Sequence, residues 1–253
     1  RKEFSKQAPS FGEKGLTLSS QEILNWIVGE LPLQDNFRVL DIAAGTGHLS
    51  RAIAPHVKEV TAIDITPEML AESRKEAARF NLGNIVIEEG NAEDLPYKDN
   101  SFDLVVSRLA IHHFEKPAVQ FSEMVRVCKP DHYVGVIDLL SSDDDAAAAT
   151  YNQLENMRDP SHVHAFSKTA MKRMMEETGL TINTFESRDI KVDFQRWVQM
   201  TGTEPDKVKI LQTRLMGDIG ESNKTGMRPF IEKGTLKFLQ VWAIVIGTKN
   251  IVG

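Results

Sequence analysis

The stretch "RVLDIAAGTGHLSRAI", Arg38 to Ile53, decides the fold. An apolar run passes into Ala43, Ala44, Gly45, Thr46 and Gly47, and then into a pattern that reads as a helix. A strand that ends in small residues and feeds a helix is the turn at which doubly wound sheets bind ligands. Glycine there removes the Cβ that would hold a ligand off the backbone. The helix that follows brings N–H groups with no intrahelical partner. Something must therefore approach the backbone closely, and Asp41, just before the turn, bears on its charge.

Working outward, the first half alternates strand with helix. "SSQEILNWIVGE" (19–30) reads as an amphipathic helix with a serine cap and Gly29 near its end. "EVTAIDI", "IVIEEG", "FDLVVSRLA" and "YVGVIDLL" read as strands two to five. "TPEMLAESRKEAARFN" is a helix with Thr66 as N-cap, Pro67 at its first position and Glu68 in the first turn. "KPAVQFSEMVRVCK" is another. Strands apolar throughout, in strict alternation with helices, mean a parallel sheet covered on both faces. The fold class is α/β: a doubly wound, mostly parallel Rossmann-like sheet with helices on both faces and an inserted lid region.

The insertion is residues 141–166, polar and alanine-rich, and Asp143, Asp144 and Asp145 are expected to cap a helix through Ala146–Asn156. "SKTAMKRMMEETG" is a capped helix, and "LTINTFESRDIKVDF" and "GTLKFLQVWAIVIGTK" are strands that complete the sheet. "QRWVQMTGTEPDKVKILQTRL" reads as one amphipathic helix on the acceptor side, with Trp197 in the core. The expected organisation is a single domain over 1–253: a flap and helix at 1–30, a cofactor-binding core at 31–140, the lid at 141–166 and a completing region at 167–253.

The chain has 253 residues, formal net charge −6 and one cysteine. Mild acidity argues against a nucleic-acid partner, because phosphate binding needs a basic surface. Cys128 excludes an internal disulfide, fits a reducing compartment, and reads as a buried structural thiol. No stretch has the length of a membrane span, and the first residues hold no signal-peptide core. The chain starts on Arg1, consistent with a trimmed start. A cytoplasmic protein off the membrane is expected, and a homodimer is compatible with the sequence.

Two ligand classes compete for the turn. A dinucleotide site wants a third glycine, and Ser50 stands at that spacing after Gly45 and Gly47. Asp41 would repel a diphosphate but welcome a cation such as an amino group. Asp64 ends the second strand, 23 residues after Asp41. A carboxylate at that tip can accept from both hydroxyls of a ribose. A ribose, a cation and no diphosphate together match S-adenosylmethionine.

"VLDIAAGTGHLS", "VTAIDITPEMLAESR", "IVIEEGNAEDLPYKDNSFDLVVSRLAIHHF" and "FSEMVRVCKP" resemble the class I S-adenosylmethionine-dependent methyltransferases, in order and spacing, from about Ser19 to Leu140. The group most resembled is the one similar to ubiquinone and menaquinone biosynthesis methyltransferases. The resemblance implies that Asp41, Ala43, Gly45 and Gly47 wrap the methionine part of the cofactor. It implies Asp64 on the ribose, with Ile65 and Met69 against the adenine. Asn91, Ala92 and Glu93 would cover the adenine edge, with the Asn91 carbonyl accepting from the amino group where the family often has Asp. Ser107, Arg108 and Leu109 would line the floor beneath the sulfonium. Ala43 stands where the family has glycine, which is tolerable if its φ is negative. The family's "KPGG" is here "KPDHY", expected to be a structural turn.

Methyl transfer from a sulfonium needs mainly positioning and exclusion of water. A base is needed only where the nucleophile carries a proton of high pKa. His112 and His113 are the candidate catalytic pair, as a base or an acceptor-positioning group; packing or capping of the next helix is the alternative. Arg158, His162, His164 and Phe166, in the lid loop, are candidate acceptor contacts, with His112, Asp138, and Phe4 and Phe11 of an aromatic flap. His162 and His164 have no further ligand at metal spacing, so no metal is expected.

The expected function is methyl transfer from S-adenosylmethionine to a small-molecule acceptor by in-line displacement. A methylated aromatic is the first guess; the Arg158 and histidine loop would suit an anionic or thiol acceptor instead. The alternatives are a cyclase or carboxyl-modifying enzyme using the same cofactor, a cofactor-binding scaffold, and a nicotinamide oxidoreductase.

Overall fold

The computed structural model describes residues 20–220 and 223–250. The strands are β1 (Arg38–Ile42), β2 (Glu59–Asp64), β3 (Ile85–Glu89), β4 (Phe102–Arg108), β5 (Cys128–Leu140), β6 (Leu180–Asp193), β7 (Phe230–Glu232) and β8 (Thr235–Lys249). The helices are α1 (Gln21–Glu30), α2 (His48–Ile53), α3 (Pro67–Arg79), α4 (Pro117–Val127), α5 (Asp145–Arg158), α6 (Lys168–Glu177), α7 (Phe194–Met200) and α8 (Pro205–Met216).

The sheet runs β3-β2-β1-β4-β5-β8-β6, with β7 paired to β8. The first five strands are parallel, and β8 is antiparallel to β5, β6 and β7. Strand order reverses between β1 and β4, so a crevice opens at their carboxyl ends, where such sheets bind ligands.

The alternation of the strands explains the two cores. Val39 of β1 packs with Trp26 and Ile27 of α1, Leu49 and Ile53 of α2, and Tyr151 and Leu154 of α5. Leu40 and Ile42 point the other way, into a second core that also holds Phe121 and Met124 of α4 and Met171 and Met175 of α6. Burial on both faces is why the strands read as continuous apolar runs.

The Asp143–Asp145 run caps a helix as expected: the Asp144 carboxylate accepts from Ala147 N at 2.8 Å. Cys128 is buried, and burial pushes its thiol up to about 12. The "KPDHY" segment holds Asp103, which accepts from Lys129 Nζ at 2.6 Å and from Arg38 N at 2.8 Å. The single helix expected after Gln195 is instead two, α7 and α8. Gly202 (φ +61°) breaks it, and Glu204 and Pro205 start the next. Trp197 is core, packed against Phe194 and Phe238. The turn into β8 is a two-residue hairpin in which Lys233 (φ +52°) and Gly234 (φ +77°) are both left-handed, the geometry that suits strand twist.

Candidate active site

The β1 turn is built from left-handed residues: Ala43 (φ +54°), Gly45 (φ +55°) and Gly47 (φ +75°). The negative φ that would make alanine tolerable at position 43 is not what forms. The chain must fold back at once, because Ala44 N donates to Ile63 O at 3.0 Å and Gly47 N to Ala44 O at 2.9 Å. Such a conformation costs a non-glycine residue about 1–3 kcal/mol and collects at functional sites. Leu109, at the tip of β4, is the second case (φ +53°), fixed by its N–H on Ile137 O at 2.7 Å.

Between these two tips lies a cavity of about 490 Å³. Asp41, Ala43, Gly45, Asp64, Ile65, Met69, Asn91, Ala92, Glu93, Arg108 and Leu109 all line it, as does His113. Asp64 accepts from Gly45 N through Oδ2 and from Thr66 N through Oδ1, each at 2.8 Å. It thereby ties the turn to the start of α3. A carboxylate has about four acceptor positions, so two remain for a ligand.

Asp41 is 1% exposed. Its Oδ2 accepts from Ser50 Oγ at 2.5 Å, while Oδ1 has no partner. Burial raises its pKa to about 7, against the opposing pull of Ser50 and the Arg108 charge. Arg108 is itself drawn down to about 10 by burial, although Asp41 favours its charge. Its guanidinium lies over the Trp242 ring, 5.6 Å from the centroid.

Two expected cofactor residues do not reach the cavity. Ser107 is fully buried and donates to Ile42 O at 3.1 Å, bracing β4 on β1. A Cβ on Gly47 would lie 2.4 Å from Ser73 Oγ, so this glycine serves the approach of α2 to α3 rather than a ligand.

The histidines form a cluster. His112 Nδ1 lies 2.5 Å from Asp138 Oδ1, and His112 N donates to Asp138 Oδ2 at 3.2 Å. Burial pulls the His112 pKa down, but the Asp138 charge and hydrogen bond prevail and raise it. The His113 ring lies 4.0 Å from that of His112, and the His162 ring 5.5 Å. Burial, then the His112 charge, lowers the pKa of both His113 and His162. His113 Nδ1 donates to Ser161 O at 2.9 Å, so the lone pair of the neutral ring is on Nε2.

The other candidate acceptor contacts are turned elsewhere. Asp138 is 2% exposed and also accepts from Leu139 N at 2.7 Å. Arg158 pairs with Glu155 and Asp159, and lies over Trp197. His162 Nε2 is held by Asn152 Oδ1 at 2.8 Å. His164 packs edge-on against Phe166, outside the cavity lining. Phe4 and Phe11 lie outside the described residues. Among the described residues, no group of three His, Cys, Asp or Glu side chains could hold a metal, and no helix is long and apolar enough to cross a membrane.

Sequence reasoning missed Phe114, Glu115 and Gln120, which also line the cavity. Their signal was slight, since nothing in "HHFEKPAVQ" marks one polar side chain over another.

A methyltransferase domain family matches residues 40–135. The chain is 29% identical over 222 residues to the uncharacterized methyltransferase YcgJ of Bacillus subtilis, covering 88% of this chain and 87% of that one. The YcgJ crystal structure superposes with a TM-score of 0.85 over 92% of this chain and 100% of that chain, at 26% identity. A putative methyltransferase structure from Bacillus halodurans also gives 0.85, at 28% identity, over 91% of this chain and all of that one. Demethylmenaquinone methyltransferase of Listeria monocytogenes is 30% identical over 143 residues, covering 54% of this chain and 60% of that one. The matched segment runs through the β1 turn, the Asp64 tip and the cavity-lining histidine. Residues 40–135 thus carry a methyltransferase domain, and the chain has the fold of the class I S-adenosylmethionine-dependent methyltransferases.

Proposed function

We propose that the chain methylates a small molecule with an ionisable proton, held between the β1 turn and His113. The observation that carries this is one cavity lined at once by Asp41, Asp64 and His113. Its volume, about 490 Å³, falls in the small-molecule range, and the cofactor would take much of it.

The residues present fit the cofactor. The unpartnered Asp41 Oδ1 is suited to an ammonium group, and the two remaining acceptor positions of Asp64 to a ribose diol. Left-handed Ala43 and Gly45 keep the turn close to what it holds. When bound, S-adenosylmethionine supplies an electrophilic methyl group on a sulfonium whose departing thioether is neutral. His113 Nε2 takes the acceptor's proton. His112, held by Asp138, is a positioning residue: its ring stacks on that of His113, and burial, then the His112 charge, keeps His113 neutral with its Nε2 lone pair open to the acceptor's proton. Arg158 is spent on Glu155 and Asp159, which favours a neutral acceptor over an anionic one. Likeness to demethylmenaquinone methyltransferase supports starting with hydroxylated aromatics.

The test is a panel of phenols, hydroquinones and thiols incubated with S-adenosylmethionine and read by mass gain of a methyl group. A product, with His113→Gln lowering kcat about 10²–10⁴-fold at unchanged cofactor affinity, is the expected result. Methylation of proteins or nucleic acids alone would overturn the reading.

A further inference from the structure

We propose that Gln120 is the acceptor that reads the exocyclic amino group of the adenine, in place of Asn91. The inference rests on the cofactor placement above. Asn91 Oδ1, the oxygen expected to meet that amino group, already gives one of its two acceptor positions to Glu93 N at 3.0 Å, whereas Gln120 Oε1 has no partner at all. It closes a local turn in the loop after β3. Gln120, one helical turn into α4, is 2% exposed and lines the same cavity.

Its amide orientation follows from its partner. Gln120 Nε2 lies 3.0 Å from Glu93 Oε1, and an ionised carboxylate only accepts, so the nitrogen faces Glu93. The oxygen is then fixed on the other side, where it has no hydrogen-bond partner. A buried carbonyl without a donor is costly, and a ligand N–H would satisfy it.

The position suits the base. Gly90 N donates to Asp64 O at 3.1 Å, so the loop carrying Ala92 and Glu93 starts beside the ribose acid. A nucleoside on Asp64 extends over Ile65 and Met69 toward that loop, where Glu93 holds Gln120. An acceptor locked in this way matches the amino group of adenine. It opposes the carbonyl that replaces that group in hypoxanthine.

The experiment is calorimetric titration of the whole protein with S-adenosylhomocysteine and with its deaminated counterpart, S-inosylhomocysteine. The wild type is expected to prefer the adenosyl ligand by about tenfold or more, and Gln120→Leu to bring the two within about threefold. Asn91→Ala is expected to keep the preference. Gln120→Met, also without the acceptor, is read in the same way if the leucine variant does not fold. A preference that survives loss of Gln120, or a wild type with none, overturns the proposal while leaving cofactor binding intact. Failure of the wild type to bind either ligand would overturn the cofactor placement itself.

Discussion

Asp41 and Asp64 both line the cavity, and on the proposed reading they hold the cation and the ribose of the cofactor. An acid before a small-residue turn and an acid ending the next strand are informative because few structural roles need either. What the sequence hid was their state. Asp41 has an unpartnered oxygen and a pKa raised by burial to about 7. Between the ordinary value of 3.8 and about 7, the unfolded chain releases this proton while the folded chain keeps it. Asp41 therefore costs stability progressively as pH rises through that window, about 1.4 kcal/mol per unit at most. Asp41→Asn is expected to flatten the fall in ligand-free stability between pH 4 and 7, as read by urea unfolding at several pH values. The same variant should bind S-adenosylhomocysteine at least tenfold more weakly, because the ammonium loses its counter-charge. The histidine cluster was not legible, since His112 and His162 are 50 residues apart and only the fold stacks them. The left-handed Ala43 was missed because alanine gives no sign of that conformation.

At the scale of elements, the parallel half of the sheet was legible in the alternation of apolar runs with helical patterns. β1, β2 and β4 are buried on both faces, so their runs are unbroken, while the edge strand β3 is only partly buried. The C-terminal part was harder. The break between α7 and α8 was misread because "QRWVQM" and "KVKILQTRL" share a helical pattern, although Gly202 and Pro205 lie between them. Arg158, His162 and Asp138 read as site residues, but their side chains are taken up by other partners: Glu155, Asp159 and Trp197 for Arg158, Asn152 on α5 for His162, and His112 beside β4 for Asp138. Gly47 shows how elements set the site indirectly. It is the left-handed N-cap of α2, and any Cβ there meets Ser73 on α3. Gly47→Ala is expected to lower stability by about 1–3 kcal/mol in urea unfolding. Adding Ser73→Ala should recover only part of this, because it relieves the contact and not the backbone strain.

For the whole molecule, the sheet order turns these residues into one site. Reversal between β1 and β4 opens the crevice, and the bonds of Ser107 to Ile42 and of Leu109 to Ile137 hold its far wall. The α5–α6 connection is held to that wall by Val163 N and His164 N, both donating to His112 O. The central claim is that this crevice takes a nucleoside bearing a cation and no diphosphate. It is tested most directly by isothermal titration of the purified protein with S-adenosylhomocysteine, with NADH titrated in parallel. The account predicts saturable, one-to-one, micromolar binding of S-adenosylhomocysteine and none of NADH. Saturable binding of NADH, or of neither ligand, would contradict it.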